Sequence, residues 1–187
     1  VFNAPPVTFD PVLAYRWNPG FRYVRVANGE IVCDRTPNIN NEGFNCSFDY
    51  VHQKPNNRTF RFIALGDSFT NDLALQLPWP EALHMFLRSR VEHGIDVEVY
   101  GMPTDGGGLP NWYTTLKEFI LPQYEFDGLI IADWGNDLSR DWAISHSDDK
   151  QMLWGPIPLS ERPATFAEME AKIIPKMQAF YEVWPNA

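Results

Sequence analysis

The sequence predicts an α/β domain, a three-layer α/β/α sandwich around a parallel sheet, preceded by an irregular N-terminal extension with a hairpin. Three observations lead there. Short apolar segments at 60–65, 97–100 and 128–132 alternate with stretches whose apolar residues recur at helical spacing; the segment at 128–132 is apolar on both faces; and proline and asparagine crowd the first 58 residues. Alternating strands and helices are the mark of βαβ units, and strands buried on both faces belong to parallel sheets covered by helices.

Residues 1–58 carry Pro5, Pro6, Pro11, Pro19, Pro37 and Pro55, with Asn at 38, 40, 41, 45, 56 and 57, a composition suited to turns and extended pieces. Within them, Phe21 to Val26, then Asn28-Gly29, then Glu30 to Cys33 predicts a hairpin, because Asn-Gly accepts the positive φ angles of a type I′ turn. This region shows no core of its own and reads as an extension packed on a domain spanning 59–187.

That domain opens with an apolar strand, Phe60 to Leu65, ending at Gly66. Leu83, Phe86, Leu87 and Val91 then fall at helical spacing, with Pro80 suited to the first turn and Gly94 to the C-terminal cap. Val97 to Tyr100 is the second strand. A glycine-rich turn leads into a helix with Trp112, Leu116, Phe119 and Ile120 on one face, and Gly128 to Asp133 is the third strand. An irregular stretch from Asp137 to about Pro163 precedes a predicted helix over 165–184, its buried face marked by Phe166, Met169, Ile173, Met177, Phe180 and Trp184 and its axis kinked at Pro175. A helix with so complete an apolar face should feed a further strand, so the domain is expected to be incomplete at its C-terminus.

Composition narrows the function. With 15 Lys+Arg against 24 Asp+Glu the formal charge is −9, and the basic residues form no cluster, which argues against a nucleic-acid partner. Hydrophobic residues make up 44%, enough for a packed core, yet no run approaches the ~20 apolar residues that span a bilayer. The four histidines and two cysteines show no metal-ligand spacing. Cys33 and Cys46 lie thirteen positions apart, where a bridge would stabilise by ~3 kcal/mol in the loop-closure model; whether they pair is open at this stage. Two sequons, at Asn45 and Asn57, lean with them towards an extracytoplasmic protein.

The chemistry concentrates at three strand ends. The first strand ends in Gly66-Asp67-Ser68, the second runs into Gly101-Met102-Pro103-Thr104-Asp105-Gly106-Gly107-Gly108, and the third ends in Asp133-Trp134-Gly135-Asn136-Asp137. Gly-Asp-Ser alone is also what a turn with a helix cap looks like. Three successive strand ends on one sheet edge, carrying a hydroxyl, backbone donors and a side-chain amide, form the set that acyl transfer needs: a nucleophile beside an oxyanion hole.

On these blocks, the segment from about 59 to 137 resembles the SGNH, or GDSL-type, hydrolases, whose domain is a flavodoxin-like α/β/α fold. The run Asn40-Asn41-Glu42-Gly43-Phe44 ahead of Phe60-Arg61-Phe62 also looks like the lead-in of many bacterial members. The resemblance implies Ser68 as nucleophile, with its own N–H, a second-block N–H and the Asn136 amide forming the oxyanion hole, and Asp67, Thr104 and Trp134 beside the substrate. Gly106 is the expected second-block donor; because Tyr100-Gly101 stands where the family pairs Asn with its glycine turn, Thr104 or Gly101 is an alternative. Trp134 replaces a usual glycine.

The family takes its base from an Asp-x-x-His block, and no such spacing follows Asn136. A serine hydroxyl needs an adjacent base, itself oriented by a carboxylate. His146, in the irregular stretch, is one candidate; the other is an Asp/His pair beyond this chain, for instance on a second polypeptide that completes the fold. The expectation is a cofactor-free serine esterase acting on a small acyl ester, with carbohydrate O-acetyl groups as first substrate. Its alternatives are a lipid-ester hydrolase and a non-catalytic glycan-binding or structural protein on the same fold. Trp112 and Tyr113 are read as core or as a platform for a sugar ring, and His84 as a surface or boundary residue.

Overall fold

The computed structural model describes residues 7–10, 13–90, 94–133 and 135. Its centre is a three-stranded parallel sheet of β5 (Thr59–Gly66), β6 (Asp96–Gly101) and β7 (Gly128–Ala132), in the order β6-β5-β7. The β5–β6 pairing runs from Thr59↔Asp96 to Ala64↔Gly101, and the β5–β7 pairing from Phe62↔Gly128 to Gly66↔Ala132. The chain is therefore a mixed α/β protein with a parallel sheet, as the alternating pattern predicts. The predicted helix over 165–184 lies outside the described residues.

Register assigns the two faces. Because partners in a parallel ladder point the same way, Arg61, Ile63 and Leu65 share a face with Glu98, Tyr100, Leu129 and Ile131. Ile63, Leu65 and Tyr100 belong to one apolar cluster with Met102, Trp112, Phe119, Ile120 and Tyr124. Leu13, Phe44, Cys46 and Tyr50 from the N-terminal region complete that cluster. Burying each such large side chain contributes about 1.5–3 kcal/mol. On the opposite face, a Cβ at Gly101 would lie 2.9 Å from Pro80, and one at Gly66 would lie 2.0 Å from the Thr70 hydroxyl oxygen.

The connections between these strands are helical. After β5 come α1 (Ser68–Asn71) and α2 (Trp79–Arg88). After β6, α3 (Leu109–Thr114) runs through a π-helical turn, Thr115–Ile120, into α4 (Leu121–Gln123). The wider turn has a local cause: Pro122 has no N–H to give the Glu118 carbonyl, and the Leu121 amide reaches back five residues to Leu116. Trp112, Phe119 and Ile120 are buried as predicted, with Leu116 half-buried.

Upstream lie two hairpins. β1 (Val7–Asp10) pairs with β2 (Ala14–Trp17), an element the sequence does not announce, and β3 (Tyr23–Ala27) pairs with β4 (Glu30–Arg35). The second turns at Asn28 and Gly29 with φ of 52° and 80°, the angles expected of Asn-Gly.

Two expectations are corrected. The predicted apolar face of α2 is not the buried one: Phe86 is 53% exposed, whereas Pro80, Glu81 and His84 are buried. The reason is hydrogen bonding. His84 Nδ1 accepts from the Val99 N–H at 3.1 Å on the outer edge of β6 while its ring stacks on Phe48, and Glu81 accepts from both the amide and the hydroxyl of Ser47. Satisfied polar groups bury at little cost. Nor is β7 buried on both faces, since Leu129 and Ile131 are 38% and 52% exposed.

Candidate active site

The Ser68 loop is built by its neighbours. Asp67 caps α1: its carboxylate accepts from Phe69 N–H at 2.9 Å, and its carbonyl from Thr70 and Asn71 at 3.0 and 3.1 Å. This starts the helix at Ser68, and Asp72, at φ 32°, ends it by donating to the Ser68 carbonyl at 2.9 Å. Asp67 is buried and Ser68 exposed. The caps turn the chain so that the hydroxyl, unlike the preceding carboxylate, faces outward past the C-terminal end of the central strand.

The glycine turn is fixed against that loop by main-chain bonds. Met102 N–H donates to Ala64 at 2.8 Å and Thr104 N–H to Gly66 at 2.9 Å, continuing the β5–β6 ladder beyond the strand. Gly107 N–H then returns to the Thr104 carbonyl at 2.9 Å, closing a turn in which Gly106 adopts φ +70°, a conformation that favours glycine. Gly108 N–H goes to Asn111 Oδ1 at 3.0 Å, capping α3. The amides of Thr104, Gly107 and Gly108 are thus already engaged. Among the described residues, those of Ser68 and Gly106 have no hydrogen-bond partner. Gly101, the other alternative, is buried inside β6 against Pro80, and its carbonyl accepts from the Tyr50 hydroxyl at 3.0 Å.

The sequence did not single out Asp105, yet it joins the two loops. Its carboxylate accepts from Asn71 Nδ2 at 3.0 and 2.8 Å and from the Tyr15 hydroxyl at 3.2 Å. Burial pushes its pKa above the ordinary carboxylate value and the Asp67 charge adds to the rise, while these donors and the Trp17 indole oppose it. No sequence signal links residues 15, 71 and 105; Asp105 before two glycines reads only as a turn.

The third strand end adjoins the first. A Cβ on Gly66 would come within 3.2 Å of the Ala132 carbonyl oxygen. Trp134, Asn136, Asp137 and His146 lie outside the described residues, as do Trp142 and Trp154.

Neither histidine among the described residues serves Ser68. His84 is occupied at the β6 edge, and burial, with Arg88 adding to it, lowers its pKa. His52 faces Glu42 at 3.3 Å, and its carbonyl accepts from Arg61 at the other end of β5, about 20 Å along the strand from Ser68 at ~3.3 Å per residue. Trp112 is a core residue. A cavity of about 530 Å³, lined by Phe48, Glu81, His84, Arg88, Glu98 and Tyr100 among others, runs along the outer edge of β6, away from Ser68.

Both cysteines are free thiols; Cys46 is buried, which pushes its pKa up to about 12. Asn45 is buried and donates to the carbonyls of Asn71 and Asp72 at 2.9 and 3.1 Å, so its sequon is occupied by the fold, whereas Asn57 is exposed. Among the described residues, no cluster of three His, Cys, Asp or Glu could hold a metal ion, and no helix is long and apolar enough to cross a membrane. Comparison with family models, with curated proteins and with solved structures finds no match to this chain in any of the three.

Proposed function

We propose that this protein is a serine ester hydrolase of SGNH type, built on a three-layer α/β/α domain, that cleaves or transfers a small acyl group in an extracytoplasmic setting. One observation carries the reading: an exposed serine hydroxyl stands at the C-terminal end of the central strand, and the turn beside it keeps an uncommitted glycine amide. Ligands in open parallel sheets bind at this edge.

In this reading Ser68 Oγ attacks the ester carbonyl. The carbon becomes tetrahedral and its oxygen takes the negative charge, held by the N–H groups of Ser68 and Gly106 with the Asn136 amide as third donor. Collapse expels the alcohol and leaves an acyl-serine, which water or a second alcohol resolves. The base comes from outside the described residues, either His146 or an Asp/His pair on another polypeptide. Carbohydrate O-acetyl esters are the first substrate class, on the family resemblance and the aromatic content of the sequence.

The test is hydrolysis of p-nitrophenyl acetate against a long-chain p-nitrophenyl ester by the full protein. Preference for acetate, with kcat lowered at least ~10⁴-fold in Ser68→Ala, supports the reading. Preference for the long chain moves the substrate to lipid esters. Equal rates for wild type and variant reject the nucleophile.

A further inference from the structure

The glycines that make the turn useful also leave it without side chains to hold its shape. Gly106 keeps its amide free while Gly107 and Gly108 spend theirs on Thr104 and Asn111, and none of the three has a side chain to pack. One side chain of the turn is anchored: Asp105, through Asn71 at 3.0 and 2.8 Å and Tyr15 at 3.2 Å. Asn71 is 3% exposed and closes the helix that Ser68 opens, so the Asp105–Asn71 contact spans the turn bearing one free amide and the helix bearing the nucleophile. Tyr15 and Trp17 bring in β2 from the far N-terminal region.

A desolvated carboxylate is a costly way to fill space, but it supplies strong, directional acceptors, and hydrogen bonds to an ionised group are roughly twice as strong as neutral ones. We propose that Asp105 is a positioning residue for the Ser68 site: through Asn71 and Tyr15 it sets the Gly106 amide in register with Ser68, which makes the β1–β2 hairpin a working part of the site rather than a passive extension. This rests on the esterase reading above. Asp105 does not touch the reacting atoms; it acts through the backbone of its own turn.

The experiment is fluorophosphonate inactivation of the full protein, resolving kinact from KI, alongside thermal melts. Asp105→Asn removes the charge and leaves one acceptor oxygen where Asn71 and Tyr15 use two; with the protein still folded, kinact falls about 100-fold at unchanged KI, the size of effect an ångström-scale misplacement produces. The swap Asn71→Asp with Asp105→Asn restores a carboxylate–amide pair across the same contact and recovers kinact. If Asp105→Asn does not fold, Tyr15→Phe replaces it, with kinact expected to drop about fivefold. Wild-type kinact in the folded Asp105→Asn variant or in Tyr15→Phe, or a folded swap with no recovery, overturns the proposal. A wild-type protein that does not react at all overturns the esterase reading itself, and that outcome is seen before any variant is made.

Discussion

The Thr104 amide donates to the Gly66 carbonyl at 2.9 Å, beyond the last β5–β6 pair, Ala64↔Gly101. That bond consumes one amide that a reacting oxyanion would otherwise use, and in doing so locks the glycine turn to the strand that delivers Ser68. The ladder continues into the two loops and joins them.

Gly66 is where this junction is tightest. A Cβ there would meet the Thr70 hydroxyl oxygen at 2.0 Å, its Cβ at 2.8 Å and the Ala132 carbonyl oxygen at 3.2 Å. Gly66→Ala is expected to lose about 1–3 kcal/mol by overpacking. Urea unfolding should show a lower midpoint at unchanged slope; an unshifted midpoint would mean that Gly66, Thr70 and Ala132 are not packed this closely.

At the other end of β5, Arg61 is fully buried, with Nε on Glu98 at 2.7 Å, Nη1 on the carbonyls of His52 and Glu125 at 2.8 and 3.1 Å, and Nη2 on that of Gln53 at 3.1 Å. Its guanidinium lies 4.6 Å from the centre of the Tyr100 ring. Arg61→Met strands a nearly buried carboxylate and three carbonyls, and should cost about 3–5 kcal/mol in chemical unfolding. Adding Glu98→Gln should recover part of that loss, and a double variant no better than the single one would show that the ion pair is not the source.

His84 gives the protein a pH dependence. Its folded pKa lies below the ordinary 6.5, chiefly through burial and then Arg88, with Glu98, Asp96 and Glu81 opposing. The unfolded chain therefore binds the proton more readily, so the contribution is fully present above 6.5 and is lost as pH falls from there towards the folded value. The melting temperature should decline between pH 7.5 and 5.5, and less steeply in His84→Gln. Parallel slopes in the two proteins would assign the dependence to other groups.

The thiols give a chemical check on the fold. Under native conditions iodoacetamide should modify Cys33, which is half-buried, and spare Cys46 until denaturant is added, since a buried thiol with its pKa near 12 carries almost no thiolate. Intact mass should show one adduct, then two. A protein lighter by two hydrogens and refractory to both treatments would contain the bridge instead.

What the sequence revealed follows from how local each signal is. The strands at 59–66, 96–101 and 128–132 were legible because their apolar runs are bounded by turn residues, and the β3–β4 turn because Asn-Gly specifies its own backbone angles. The inward face of α2 was not, because Glu81 and His84 are buried by partners at Ser47 and Val99 that hydropathy cannot foresee. The candidate site was half legible: Gly66-Asp67-Ser68 and the glycine turn stand out as motifs, but which amides remain unspent depends on bonds across the sheet. The Tyr15–Asp105 contact joins residues 90 apart and left no trace in any local pattern.

The central claim is that Ser68 is a nucleophile, and the most direct measurement is peptide mapping of the full protein after reaction with a fluorophosphonate. The account predicts a single adduct on Ser68, absent from the denatured protein and from Ser68→Ala. An adduct on a different residue, or none on the folded protein, would contradict it.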